Sequence, residues 1–134
     1  MQEARVLSQS ADMYAVSDPM IKIGMLLNGP TITRVRADTA YWQYYRDGIL
    51  NNSCCYGKGF TNPLNHAVQT CGWGIETIEG VETAYWLIRN SWGTTYGGDQ
   101  PDPFKGYIKL KIATTGPGMC GEQISFWNYT MTTL

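Results

Sequence analysis

The chain has 134 residues, of which 43% are hydrophobic and 16% are charged, and its formal net charge is −1. These values predict a single globular domain with a modest core. They argue against nucleic acid and anionic membranes as partners, because binding to either requires basic clusters that this sequence lacks. No apolar run approaches the roughly 20 residues that cross a bilayer, so we expect no membrane span.

Cysteines and glycosylation triplets bear on the cellular compartment. Two triplets, Asn51-Asn52-Ser53 and Asn128-Tyr129-Thr130, fit the N-glycosylation pattern, although such triplets often arise by chance. With the cysteines they favour an oxidising, secretory-route location. The first residues lack the charged-then-apolar pattern of a signal peptide, which suits a cytosolic protein or the mature part of a longer one. The four cysteines are Cys54, Cys55, Cys71 and Cys120.

One helix is predicted near the N-terminus, within residues 17–30. Ser17 or Asp18 can cap it, Pro19 suits its first turn, and Asn28-Gly29 ends it. Three apolar residues fall on one face of this helix and predict a buried stripe. They are Ile21, Met25 and Leu26.

From Pro30 onward the pattern changes to strands and loops. Residues 30–37 alternate, with Thr31, Thr33 and Val35 on one side. Residues 67–74 and 82–89 resemble two paired strands, and residues 106–112 predict a half-buried strand whose lysines form a wet face. One helix followed by several strands predicts an antiparallel α+β domain that spans residues 1–134.

The two paired strands bring the single histidine of the chain close to an asparagine. In a hairpin centred near Ile78, His66 lies directly across from Asn90, and Val68 lies across from Ile88. The amide oxygen of Asn90 then accepts the Nδ1–H of His66 and leaves Nε2 free for proton transfer.

This pair is the orienting half of a Cys–His–Asn catalytic set, in which a thiolate beside an imidazolium attacks a peptide carbonyl. A lone histidine is more often a structural residue. A zinc site built from Cys54, Cys55, His66 and Cys71 is a further alternative, but adjacent cysteines lack the usual ligand spacing. We therefore predict neither a metal nor another cofactor.

The surroundings of the histidine resemble the papain-like cysteine peptidases, which include the cathepsins. The segment NHAVQTCGWG and, 24 positions after its histidine, NSWGTTYGG carry the strongest similarity. The segment NGPTITRVRADTAYWQYYRDGIL, the strand GYIKLKI and the late segment GMCGEQISFW match further family segments in the right order. The resemblance implies the C-terminal, β-rich and barrel-like lobe of the papain-like fold.

The resemblance also implies roles for individual residues. His66 corresponds to the general base, Asn90 to its orienter, and Trp92 to the indole that shields their hydrogen bond from water. A disulfide is implied between Cys120 and either Cys54 or Cys55, and Cys71 is expected to be a buried free thiol. Residues matching the S2 pocket, which selects the P2 side chain of the substrate, are Leu64, Asn65, Ala67 and Ser125, with Arg34 in its wall.

The family's nucleophilic segment, Gln…Cys-Gly-Ser-Cys-Trp, has no counterpart in this sequence. We therefore expect either that a companion chain supplies the catalytic cysteine for polypeptide hydrolysis, or that the lobe is an inactive structural subunit. Alone, the chain is expected to be inactive. By resemblance, the expected location is lysosomal, vacuolar or secreted.

Several positions depart from the family pattern. Arg34 replaces a small apolar residue, and its guanidinium either favours acidic P2 side chains or blocks the pocket. Thr31 and Thr33 replace valines and make the core more polar, and Tyr96 stands where a second tryptophan is usual. These departures bear on activity more than on the fold.

Overall fold

The structure is a computed structural model that describes residues 4–7, 18–51, 64–114, 118–123, 126–127 and 130–133. Its strands form a six-stranded sheet in the order β3-β6-β5-β4-β2-β7 and a separate two-stranded sheet of β1 and β8. The elements in chain order are β1 (Ala4–Leu7), α1 (Asp18–Asn28), β2 (Thr31–Val35), α2 (Ala40–Gln43), β3 (Ile49–Leu50), β4 (His66–Ile78), β5 (Val81–Arg89), β6 (Tyr107–Lys111), β7 (Phe126–Trp127) and β8 (Thr130–Thr133).

Helix α1 occupies the predicted segment and ends at the predicted glycine. Gly29 has a φ of 82°, and its N–H donates to the carbonyl of Met25 at 2.8 Å, which closes the last turn. Ile21 and Met25 are buried as predicted, but Leu26 is 75% exposed, so its assignment to the buried stripe was wrong. Leu26 lies about 100° beyond Met25 around the helix and faces away from the sheet.

The large sheet is mixed and open, rather than purely antiparallel and barrel-like. Strand β3 pairs parallel with β6, whereas the pairs β2–β4, β4–β5 and β5–β6 are antiparallel. The outermost strands are β3 and β7, so the sheet does not close on itself. The parallel pair arises because a long connection separates β3 from β6, and such a connection permits either direction.

The hairpin β4–β5 is longer than the sequence predicted. Its turn consists of Glu79 and Gly80, and both have positive φ, which a two-residue hairpin turn of the primed type requires. Ile78 pairs with Val81, so the two strands extend beyond the predicted runs 67–74 and 82–89 up to the turn. The Glu-Gly pair was the available sequence signal for this turn, although it is weaker than Asn-Gly or Asp-Gly.

The core consists mainly of apolar side chains from the sheet and both helices. Trp42 reaches the core from α2, and the hydroxyl of the N-cap residue Thr39 accepts the N–H of Trp42. The fully buried large side chains include Trp86 of β5 and Leu110 of β6. The buried apolar residues are Ile21, Met25, Val35, Ala37, Trp42, Tyr45, Val68, Trp86, Ile88, Tyr96, Ile108, Leu110, Ile112 and Cys120.

The predicted wet face of β6 is partly buried. Lys109 is only 6% exposed, and its Nζ lies 2.5 Å from a carboxylate oxygen of Glu76 on the hairpin. The same ammonium lies 5.2 Å from the ring centroid of Tyr85 and 5.3 Å from that of Phe104. Alternation alone predicted that the side chain of Lys109 is exposed. The ion pair and the two aromatic rings offset the cost of burying its charge.

The long connection from β5 to β6 is ordered by Gln100, whose side chain is buried. Its Nε2 donates to the carbonyls of Phe104 and Tyr107 at 3.0 and 2.8 Å, and its Oε1 accepts the hydroxyl of Tyr45 at 3.2 Å. This connection carries Trp92 and Tyr96, so Gln100 helps to fix both aromatic residues relative to the sheet.

Candidate active site

His66 begins β4, at the edge where β2 ends. Its Cα pairs with that of Val35, and the N–H of the preceding Asn65 donates to the carbonyl of Val35 at 3.0 Å. The side chain of Asn65 accepts the N–H of Ala37 at 2.9 Å. The backbone on both sides of this pairing is therefore fixed, and His66 projects from a rigid strand end.

Asn90 follows β5 directly and is 5% exposed. Its backbone N–H donates to the carbonyl of Gly106 at 3.0 Å. Gly106 has a φ of 90°, and a Cβ there would lie 3.3 Å from the carbonyl oxygen of Gly93. A side chain at Gly106 would thus strain the backbone and crowd the segment that holds Asn90 and Trp92.

The two side chains are in contact: Nε2 of His66 lies 2.8 Å from Oδ1 of Asn90. The same Oδ1 accepts the backbone N–H of Ser91 at 2.8 Å, which fixes the orientation of the amide. Because an amide oxygen only accepts, Nε2 is the protonated nitrogen of a neutral His66. The nitrogen available for proton transfer is therefore Nδ1, and the sequence-based assignment of the two nitrogens was reversed.

The predicted register was also wrong, although it led to the right pair. Gln69 pairs with Arg89 and Thr70 with Ile88, so Ile88 does not lie across from Val68. The register changes between Thr70 and Gly72, where Cys71 forms an irregularity in β4. His66 and Asn90 therefore reach each other diagonally, through their side chains, rather than as directly opposed residues.

Aromatic rings surround this hydrogen bond on several sides. The ring of Trp92 lies 5.1 Å from that of His66, and Trp92 remains 42% exposed. Trp42, which is buried, approaches His66 edge-on at 6.3 Å. Tyr96 packs edge-on against Trp92 at 5.4 Å. Sequence reasoning placed Trp92 here but missed Trp42, for which the only signal was the aromatic-dense stretch 41–50.

The residues expected to form the S2-like pocket are partly assembled. Arg34 pairs with Ala67 across β2 and β4, and its Nη2 donates to the carbonyl of Leu64 at 3.2 Å. Arg34 and Ala67 are exposed and Leu64 is half-buried, so the three border one surface. The amide oxygen of Asn65 is bound to the N–H of Ala37. Ser125 lies outside the described residues.

A pocket of about 800 Å³ adjoins this surface. It extends from Ala67 and Asn90 along the sheet. Its lining includes the cationic side chains of Arg89 and Lys105, of which Lys105 pairs with Asp102 at 3.8 Å. A pocket of this size and charge suits a polar or acidic segment of another polypeptide. Sequence reasoning did not identify Arg89, Lys105 or Tyr107 as lining residues, because their approach depends on the register of β5 and β6.

Of the two described cysteines, Cys71 is a free thiol. It is half-buried rather than fully buried, and burial raises the pKa of its thiol. Cys120 is buried, and both expected partners, Cys54 and Cys55, lie outside the described residues.

Within the part of the chain that the structure describes, no group of three or more metal-binding side chains is present. Likewise, none of the described helices is long and apolar enough to span a membrane.

A buried carboxyl beside Cys120 was not anticipated from the sequence. Glu122 is fully buried, and its two carboxyl oxygens accept the N–H groups of Met119 and Cys120 at 3.1 and 2.9 Å. Burial raises the pKa of Glu122 to about 7 despite these hydrogen bonds. The carbonyl of Cys120 in turn accepts the N–H of Arg36, which connects this turn to the end of β2.

Of the acceptor asparagines of the two glycosylation triplets, only that of the first lies among the described residues. Asn51 follows β3 and is exposed, as a glycosylated asparagine must be. Asn128 lies outside the described residues.

Comparison with known proteins identifies the family. Residues 2–128 match the family described as papain family cysteine protease. Because the match covers nearly the whole sequence, the chain belongs to the papain family of cysteine proteases. The membership agrees with the α+β fold and with the arrangement of His66 and Asn90.

Individual relatives share this similarity. Macrodontain-1 of Ananas macrodontes is 31% identical over 119 residues, which is 87% of this chain and 42% of the relative. Human cathepsin O is 35% identical over 110 residues, which is 82% of this chain and 28% of the relative. A crystal structure of a Carica candamarcensis cysteine protease in complex with E-64 matches with a TM-score of 0.62 and 26% identity, covering 93% of this chain and 47% of that one. The chain thus spans less than half the length of these relatives.

Proposed function

We propose that this chain is the histidine- and asparagine-bearing part of a papain-like cysteine peptidase that hydrolyses peptide bonds. The observation that carries the proposal is the hydrogen bond between His66 Nε2 and Asn90 Oδ1, with Nδ1 making no hydrogen bond to any described residue. The catalytic cysteine would come from a companion chain, because none of the four cysteines of this sequence has the nucleophile's sequence context.

The chemistry assigned to His66 follows from its tautomer. Nδ1 takes the proton of the incoming thiol, and the resulting imidazolium stabilises the thiolate. The thiolate sulfur bonds to the scissile carbonyl carbon, and Nδ1–H passes its proton to the leaving amine as the peptide bond breaks. Nδ1 then accepts a proton from water, whose oxygen attacks the thioester and releases the acid and the thiol. Throughout, Nε2–H stays bound to Asn90.

The companion chain is assigned to the face that includes the 800 Å³ pocket. That face borders Asn90 at one end and carries Arg89 and Lys105, so acidic groups on the companion would be favoured opposite them. We expect the chain to be unstable as a lone monomer, because a cleft wall without its second side exposes surface that normally is covered.

The substrate's P2 side chain is assigned to the surface around Arg34, Leu64 and Ala67, with Asn65 and Ser125 as expected neighbours. Among the described residues, the guanidinium of Arg34 makes one hydrogen bond, to the carbonyl of Leu64, and it has further N–H donors. Those donors suit a carboxylate. The proposed preference is therefore for Asp or Glu at P2.

An inactive structural subunit is the second candidate function. The observation in its favour is an apolar patch on α1, remote in sequence from His66, which would suit an interaction unrelated to catalysis. Its residues, more than half exposed, are Met20, Ile23, Leu26 and Leu27. The intact pairing of His66 with Asn90 favours the peptidase, because a scaffold has no need of a particular histidine tautomer.

The remaining proposals concern the compartment. We place the protein in a lysosome or vacuole or outside the cell, with Cys120 bridged to Cys54 or Cys55 and with glycans on Asn51 and Asn128. Burial of Cys120 and exposure of Asn51 support these assignments. Peptide mapping under non-reducing conditions distinguishes Cys54 from Cys55.

The proposed function is tested by intact-mass analysis of the native assembly. We expect a companion polypeptide with a Cys-Gly-Ser-Cys-Trp segment whose cysteine reacts with a thiol-directed peptidase probe. Companions without such a segment would support the structural subunit instead. A monodisperse, cooperatively folded monomer would contradict the need for a companion.

A further inference from the structure

Of the two polar atoms in the Asn90 side chain, only the amide oxygen makes hydrogen bonds with described residues. Its Oδ1 accepts from His66 Nε2 and from the N–H of Ser91, both at 2.8 Å. Its Nδ2 is buried and makes no hydrogen bond of ordinary geometry with a described residue. A buried amide N–H₂ without an acceptor is costly, so a nearby acceptor is expected.

The hydroxyl of Tyr96 is a second buried polar group without such a bond. Its ring packs against Trp92 at 5.4 Å and against Tyr45 at 5.8 Å, which fixes its position beside the site. Burial raises the pKa of Tyr96, and a side-chain interaction with Asn90 partly offsets that rise. Tyr96 therefore belongs to the aromatic cluster around His66, and neither its hydroxyl nor Asn90 Nδ2 makes a hydrogen bond of ordinary geometry with a described residue.

We propose that Tyr96 is a positioning residue, whose hydroxyl accepts a hydrogen bond from Asn90 Nδ2 and so holds the amide with its oxygen toward His66. The proposal deepens the proposed function, since it concerns the same histidine. Ser91 and Tyr96 would act at opposite ends of one amide. If the amide turned over, its N–H₂ would face the N–H of Ser91 and the ring of His66 would have to adopt the Nδ1–H tautomer.

A tautomer measurement tests this proposal, and the chain suits it because His66 is its single histidine. The ¹⁵N shifts of the neutral imidazole are recorded at alkaline pH for the labelled chain. Where mass analysis finds a companion, the chain is reconstituted with a companion variant whose catalytic cysteine is replaced by alanine, because a thiolate would hold His66 as the imidazolium. The variant is Tyr96→Phe. The matched control is Tyr45→Phe, because Tyr45 belongs to the same aromatic cluster but its hydroxyl bonds Gly48 and Gln100 instead.

We expect the Nε2–H tautomer to dominate in the unsubstituted chain. In Tyr96→Phe the proportion of the Nδ1–H tautomer should rise about 5-fold, as loss of one neutral hydrogen bond implies. In Tyr45→Phe it should be unchanged. An unchanged ratio in Tyr96→Phe, or an equal change in both variants, would overturn the proposal.

A second measurement does not depend on the variant folding. In the unsubstituted chain, the Tyr96 hydroxyl proton should show a nuclear Overhauser effect to the Asn90 side-chain amide protons, and its absence would overturn the proposal. Neither readout requires peptidase activity. A failure of the proposed function, seen as absence of a reactive companion cysteine, is therefore distinguishable from a failure of this inference.

Discussion

His66 and Asn90 are 24 residues apart in sequence and belong to neighbouring strands, yet their side chains share a 2.8 Å hydrogen bond. The bond uses Nε2 and directs Nδ1 elsewhere, and it lies among the rings of Trp42 and Trp92. Such a bond is protected from competing water and therefore orients the imidazole more strictly than an exposed one would.

Removing the amide should lower catalysis while leaving substrate affinity almost unchanged. In the assembled peptidase, Asn90→Ala should reduce kcat about 10-fold, the effect of losing one well-placed hydrogen bond. Steady-state kinetics against a peptide substrate measures it. The control is Gln123→Ala, which removes another amide that contacts the backbone, at Ala113, and not the imidazole. An equal loss of kcat in both variants would contradict the orienting role of Asn90.

Two threonines of β2 provide a matched test of the polar core. The hydroxyls of Thr33 and Thr70 lie 2.7 Å apart in the interior, whereas the buried hydroxyl of Thr31 has no described partner. Thr33→Val should therefore destabilise the fold by about 1–3 kcal/mol, because it leaves Thr70 unpaired. Thr31→Val should be neutral or stabilising. Denaturant unfolding compares the two, and the opposite order would contradict this account.

The pH dependence of stability should reflect Glu122. Because its pKa in the folded chain is about 7, above the ordinary value of 4.5, the protonated form favours folding. That contribution is complete below pH 4.5 and is lost as the pH rises through 7. The loss amounts to roughly 3 kcal/mol between pH 4.5 and pH 8. The chain should thus be more stable in an acidic compartment.

Thermal unfolding at pH 5 and pH 8 measures this effect. The carboxyls of Asp38 and Asp99 have lowered pKa values, because of hydrogen bonds from Arg36 and Arg46, and they stay ionised over this range. In Glu122→Gln the difference between the two pH values should shrink. A difference as large as in the unsubstituted chain would mean that another group is responsible.

Arg34 should decide selectivity at P2. With acidic and aliphatic P2 substrates of otherwise equal sequence, Arg34→Val should lower the ratio of their kcat/KM values about 10-fold, because the carboxylate loses its charged partner. Arg36→Gln serves as the control, since Arg36 pairs with Asp38 on the same strand edge. If Arg34→Val instead raises kcat/KM for both substrates alike, the guanidinium blocks the pocket rather than selecting for acids.

The sequence predicted those features that depend on local pattern. Helix α1 was found from its proline, its cap and Gly29, and the inward face of β2 from the alternation of Thr31, Thr33 and Val35. The pairing of His66 with Asn90 was found because both lie where two strand-like runs end. The family resemblance then supplied a reason to look for an orienting amide.

What the sequence did not predict depends on tertiary packing. The irregularity at Cys71 moves the register of the hairpin, and no local signal marked it. The choice of Nε2 over Nδ1 depends on how the ring enters the site, which strand alternation does not specify. Burial of Lys109 depends on Glu76 and on two rings from distant segments. The raised pKa of Glu122 likewise depends on its burial. The residues that neighbour it in sequence do not predict that burial.

The reactivity of the companion cysteine toward a thiol-directed epoxide, measured at pH 6 with the intact assembly and with a His66→Ala variant, tests the central claim most directly. If His66 holds the thiol as a thiolate, its removal returns the thiol to an ordinary pKa near 8.5 and should slow labelling about 100-fold. Labelling at the same rate in both assemblies, or no labelled cysteine in any companion, would contradict a catalytic role for His66.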